Sequence, residues 1–233
     1  MHQNTPDETV TKQQPRGWIV PPAANVPGAI LSIGMAIAWL VSWFRGETMA
    51  SWATSSAAIA EGRYETLLLY MFAHAGLLHI TMNLAVLYGI SGLIVARLGS
   101  WWRYIVLYLL CGFAGAALYL LLTPGSPIPM LGASGAISGL LGLLFRLDQQ
   151  TANLIPLRSE QVFHALKGFA KDNLVLILMF TVPAILSGSG GGIAWEAHLG
   201  GLLFGLLAGP YLLPEENPAK PIVQSDDEVT ATM

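Results

Sequence analysis

Long apolar runs separated by short polar segments organise the chain. They fall at roughly 27–44, 77–96, 104–122, 131–145, 173–187 and 197–213. Three of them approach or meet the ~20 residues that carry a helix across ~30 Å of hydrocarbon at ~1.5 Å per residue. The fourth and fifth, about fifteen residues each, are short, so each predicts a helix that thins the bilayer or begins inside it. Between the first two runs, segment 45–66 mixes Trp52, Ala and Ile with Glu47, Glu61 and Arg63, as suits a structure lying partly in the interface. The connection Thr123–Pro129 holds Pro124, Pro127 and Pro129, cannot be helical, and leads into the fourth run just before Gly132-Ala-Ser-Gly135. Segment 146–172 is amphipathic and basic, which predicts a surface helix. The glycine-rich connection Ser187–Gly192 has few side chains to fix it and reads either as a mobile lid or as a plain connector.

Composition turns this pattern into a membrane protein. Of the 233 residues 54% are hydrophobic and 11% charged, where a soluble domain carries about 25% charged residues. Six spans would put both termini on one side, together with Lys12, Arg16, Arg97, Arg103, Arg146, Arg158, Lys167, Lys171 and Lys220. Only Arg45 and Arg63 would lie on the other side. That asymmetry predicts cytoplasmic termini. Trp52, Trp101, Trp102 and Trp195 fall near the expected interfaces. The chain therefore divides into a polar N-terminal tail (1–26), a membrane domain (27–213) and an acidic C-terminal tail (214–233). The tail 1–26 lacks the layout of a cleaved signal or an organelle presequence, so the expected location is a bacterial inner membrane. A net charge of −3 gives no case for nucleic-acid binding, and the single Cys111 rules out an internal disulfide.

Polar groups inside spans are costly and mark function. The second run holds His79 and Asn83, preceded by His74; the fourth opens with Ser134; the sixth opens with Glu196 and His198. Counted to the cytoplasmic ends of their helices, Ser134, Asn83 and His198 stand about 18, 21 and 20 Å up. Three helices thus present Ser, Asn and His at one level, in the outer half of the membrane. Ser134, Ser138 and Gly142 form one small-residue stripe, and Gly135 and Gly139 form another. Gly201, Gly205 and Gly209 repeat the spacing on the sixth run. Such stripes let backbones approach closely in lipid, which would bring Ser134 and His198 within reach of each other.

The residue types then suggest a reaction. A serine hydroxyl becomes a nucleophile when a neutral histidine takes its proton. Glu196, about 200° around the helix from His198, points elsewhere, so the reading is a Ser134–His198 dyad. The oxyanion formed by attack on an amide would find donors in the Asn83 amide, the Ser134 N–H and His79. His74 is read as structural, tying the outer loop to the helix end. His74, His79 and His198 lack a carboxylate or thiolate companion, so no metal site is expected.

At these residues the chain resembles the rhomboid family of intramembrane proteases. The resemblance is carried by Phe72-Ala-His-Ala-Gly-Leu-Leu-His-Ile-Thr-Met-Asn83, Gly132-Ala-Ser-Gly135 and Ala197-His-Leu-Gly-Gly-Leu-Leu-Phe-Gly205, in that order, and spans about 61–212. It implies an all-α, six-transmembrane-helix rhomboid-like bundle with a water-filled cavity opening outward. Ser134 would be the nucleophile and His198 the base. His79, Asn83 and the Ser134 amide would bind the oxyanion, with Gly132 in the turn before the nucleophile. It also implies single-span membrane protein substrates that arrive from the lipid beside the fifth span, and no cofactor. Two features depart from the family pattern. Many members stack an aromatic residue on the histidine, four places after the serine, where this chain has Ser138. Members also often carry a Trp-Arg pair in the first outer loop, where the nearest counterpart here is Gly62-Arg-Tyr64. A non-catalytic relative that binds membrane clients, or a small transporter, is the alternative; the first would be marked by loss of Ser or His, the second by paired broken helices.

Overall fold

The computed structural model describes residues 20–148, 150–188 and 192–215. Most of the two expected tails, with Lys12, Arg16 and Lys220, and the middle of the glycine-rich connection lie outside the described residues. Within them the chain is helical, with α1 (Val26–Phe44), α2 (Ser56–Ala60), α3 (Thr66–Leu69), α4 (Leu77–Leu98), α5 (Trp101–Leu122), α6 (Ser134–Phe145), α7 (Glu160–Leu176), α8 (Val182–Leu186) and α9 (Trp195–Leu207). Four stretches are long and apolar enough to cross a membrane: Pro22–Phe44, Leu77–Leu98, Trp101–Leu122 and Glu160–Leu186. The apolar α6 and α9 have 12 and 13 residues, or about 18–20 Å.

The last residues of the expected N-terminal tail are ordered against α4. Pro22–Asn25 form a 3-10 turn with Ala24 buried, and a Cβ on Gly92 of α4 would run into Asn25 and Val20. The helix over the fifth apolar run is longer than that run. Ser159 caps α7 by accepting a hydrogen bond from Val162 N–H at 3.3 Å, the usual device for starting a helix. From there α7 passes through a π-helical segment, Ile177–Thr181, into α8. Pro183 lacks an N–H, and the wider turn before it absorbs the missing bond. The expected surface helix over 146–172 is therefore, from Glu160 onward, the first half of this long helix. Its charged residues give it an amphipathic pattern that masks its continuity with the apolar half.

Packing centres on α9, which lies between α5 and α6. A Cβ on Gly200 would stand 2.6 Å from the Ala114 carbonyl oxygen of α5. On the other side, Cβ atoms on Gly201 and Gly205 would collide with the carbonyl oxygens of Gly135 and Gly139 of α6. These are backbone-to-backbone contacts that only glycine permits. The rest of the core comes from one face of α5, where Tyr104, Leu107, Tyr108, Cys111 and Ala116 are fully buried. At the basic end, Arg97 Nε donates to Ala152 O at 2.7 Å and Arg146 Nε to Ile155 O at 2.9 Å, folding loop 146–159 against the ends of α4 and α6. In that loop the exposed Asp148 carboxylate accepts from Thr151 N–H, Thr151 Oγ–H and Gln150 N–H. The Thr151 bonds chiefly hold its pKa below the usual carboxylate value.

Candidate functional site

The site begins with the loop that delivers Ser134. Residues 126–132 hold Pro127 and Pro129, form no helix, and are pinned by the loop between α1 and α4. Met130 N–H donates to Thr54 O at 2.8 Å and Thr54 N–H to Met130 O at 3.0 Å. Gly132 N–H donates to Tyr70 O at 2.8 Å, and Tyr70 Oη–H in turn to Gly112 O of α5 at 2.7 Å. The loop between α1 and α4 is thus the frame of the serine loop. Arg63 of the Gly62-Arg-Tyr64 counterpart donates to Ser51 O and holds that frame together.

Gly132 turns the chain at φ +121°, a region that disfavours side chains, and a Cβ there would sit 2.7 Å from both Cε1 and Nε2 of His79. Immediately afterwards Ser134 opens α6. Its N–H therefore belongs to the first turn, where backbone donors lack helical acceptors and the helix dipole is positive.

His198 is buried, at 6% exposure, one turn into α9. Its Nε2 lies 2.7 Å from Ser134 Oγ. The glycine contacts between α6 and α9 explain the approach: without side chains at Gly135, Gly139, Gly201 and Gly205, the two helices come close enough for these short side chains to meet. Ser134 itself is only partly buried, so its hydroxyl stays within reach of a ligand.

His79 and Asn83 sit one turn apart on α4. Ala75 N–H donates to His79 Nδ1 at 3.4 Å, which leaves the proton on Nε2, the atom beside Gly132. Asn83, 6% exposed, donates one Nδ2 hydrogen to His79 O at 2.9 Å and retains a second for a ligand. No direct hydrogen bond joins Asn83 to Ser134 or His198 among the described residues. His74, 2% exposed, packs edge-on against His79 with ring centroids 5.0 Å apart. It donates from Nδ1 to Phe72 O at 3.3 Å, and its backbone N–H points to Met49 Sδ at 3.4 Å.

One residue at the site escaped the sequence reading. Asn173 Oδ1 lies 2.5 Å from His198 Nδ1. The small, buried Ser138 leaves the imidazole without an aromatic neighbour four places after Ser134, and this amide from α7 holds it from another side. The signal was present, an amide at the edge of an apolar run. Next to Lys171 and Asp172, however, it read as a residue of the membrane boundary.

Comparisons with known proteins bear on the family of the chain. The Rhomboid domain profile matches residues 61–215, about two thirds of the chain. Rhomboid protease GluP of Bacillus subtilis (strain 168) is 29% identical over 163 residues, which are 70% of this chain and 29% of that relative's length. The chain thus spans under a third of the relative it resembles. A profile match running from the loop between α1 and α4 past α9, over the long apolar helices, makes this chain an integral membrane protein and a member of the rhomboid family.

Proposed function

We propose that the protein is an intramembrane serine endopeptidase that cleaves the membrane segments of single-span proteins through Ser134 and His198. The observation that carries this reading is the 2.7 Å separation of Ser134 Oγ and His198 Nε2 on two helices locked by glycine. Ser134 Oγ attacks the scissile carbonyl carbon while His198 Nε2 takes the hydroxyl proton. The Ser134 N–H, the His79 Nε2–H and the free Asn83 Nδ2–H receive the oxyanion. Collapse breaks the C–N bond, His198 returns the proton to the leaving amine, and an acyl-Ser134 ester remains. Water, deprotonated by His198, attacks that ester, releases a carboxylate and restores the serine.

The same reading has all six apolar helices crossing, with both termini cytoplasmic, in a bacterial inner membrane. The outer ends of α6 and α9 then place the reacting pair below the outer surface, where water and a lipid-embedded substrate both arrive.

Purified protein with a fluorescent single-span substrate in detergent tests the reaction. Cleavage is expected from the original chain. Ser134→Ala and His198→Ala are expected to lose at least about 10³-fold in kcat, and a fluorophosphonate is expected to label Ser134. Cleavage by Ser134→Ala at the original rate would overturn the proposal.

A further inference from the structure

α7 and its continuation to Leu186 are the least embedded part of the bundle. None of the most apolar eighteen-residue window of Glu160–Leu186 is buried, against 39% for the corresponding windows of α4 and α5. Yet this helix contacts His198. Asn173 sits on it with the amide fixed in sense, because its Nδ2 donates to Phe169 O at 3.0 Å. Oδ1 is therefore the atom turned to His198 Nδ1, 2.5 Å away. A carbonyl oxygen only accepts, so Nδ1 must carry the imidazole proton and Nε2 must present its lone pair to Ser134. Two turns further on, Thr181 Oγ1 accepts from Ile193 N–H at 2.9 Å, two residues before α9 begins. The helix thus holds α9 at its approach and at its histidine.

We propose that Asn173 is a positioning residue for His198, filling with a neutral amide the place that a carboxylate takes in a Ser-His-Asp triad. It fixes both the tautomer and the ring orientation of the base. Because the amide rides on the weakly packed α7, the base is aligned only while that helix is docked, and Thr181 is part of the docking. The inference rests on the Ser134–His198 reading and adds a third member to it.

Two substitutions of similar volume separate positioning from packing. Asn173→Leu removes the acceptor; Asn173→Asp keeps it and adds a charge that a packing role would tolerate worst. Expected are a kcat about a hundredfold lower with KM within about twofold for Asn173→Leu, and a kcat within about tenfold of the original for Asn173→Asp. Fluorophosphonate labelling of Ser134 should fall in step. Equal or better activity of Asn173→Leu than of Asn173→Asp would overturn the proposal, as would a change confined to KM.

A readout independent of catalysis is the Nδ1 proton of His198 in ¹⁵N-histidine NMR spectra, assigned by its loss in His198→Ala. It should persist in Ser134→Ala and Asn173→Asp and vanish in Asn173→Leu; persistence in Asn173→Leu overturns the role of Asn173 even if that variant is inactive for another reason. If Ser134→Ala cleaves, the nucleophile reading fails while the NMR arm still judges Asn173. Thr181→Val is expected to lower kcat several-fold alone and to add nothing to Asn173→Leu; full additivity would overturn the dependence on docking.

Discussion

Gly132 carries more of the site than its lack of a side chain suggests. Its φ of +121° is open to glycine, and the place where a Cβ would go is already occupied by the edge of the His79 imidazole. An alanine must therefore bear backbone strain of about 1–3 kcal/mol and also push His79 away from the serine loop. Gly132→Ala is expected to keep the bundle folded, with a melting temperature within a few degrees of the original, and to label with fluorophosphonate at least about tenfold more slowly. Full-rate labelling would mean that the loop tolerates displacement. At this scale Ser134, His79, Asn83 and His198 were legible because polar side chains stand out in an apolar run. Asn173 was not, since two charged neighbours moved the apparent start of its span to its own position.

Between elements, the close approach of α6 and α9 decides whether the site exists. The small-residue stripes had announced it, although Gly135 and Gly139 face α9 directly at Gly201 and Gly205. A methyl group on Gly201 meets the Gly135 carbonyl oxygen, a backbone atom that cannot rotate away. Gly201→Ala should therefore lower the thermal midpoint in detergent by several degrees and weaken Ser134 labelling together with it. Gly34 on α1 supplies the contrast, because a Cβ there meets nothing within 4 Å. Gly34→Ala should leave activity unchanged and raise stability by up to about 1 kcal/mol through helix propensity alone. Similar losses from both variants would show that glycine matters through helix flexibility rather than through contact. The length of α7 was less legible than this packing. Hydropathy sees the apolar half, whereas the Ser159 cap and the absence of any break before Ile177 set the true start.

For the molecule as a whole, the hydropathy runs located every long helix, but helix length alone leaves the number of crossings undecided. α6 and α9, about 18–20 Å long, fall short of ~30 Å of hydrocarbon. The non-helical segment 126–132 ahead of α6 and the 3-10 turn Gly209–Leu212 after α9 supply further chain at the two ends. Arg97, Arg103 and Arg146 gather at the end away from Ser134, which favours placing that end in the cytoplasm. The exposed positions Glu61, Arg158 and Glu215 turn this into a measurement. Each is replaced by cysteine, and the buried Cys111 is left as an internal control unreactive to an impermeant maleimide. With six crossings, Glu61→Cys is labelled on intact cells, while Arg158→Cys and Glu215→Cys are labelled only after permeabilisation. If only the four longest helices crossed, Arg158→Cys would label on intact cells as Glu61→Cys does, while Glu215→Cys would still need permeabilisation. Arg158 is therefore the deciding position. Its protection in intact cells is the expected result, because only then do α6 and α9 both cross and carry Ser134 and His198 into the bilayer from the same side.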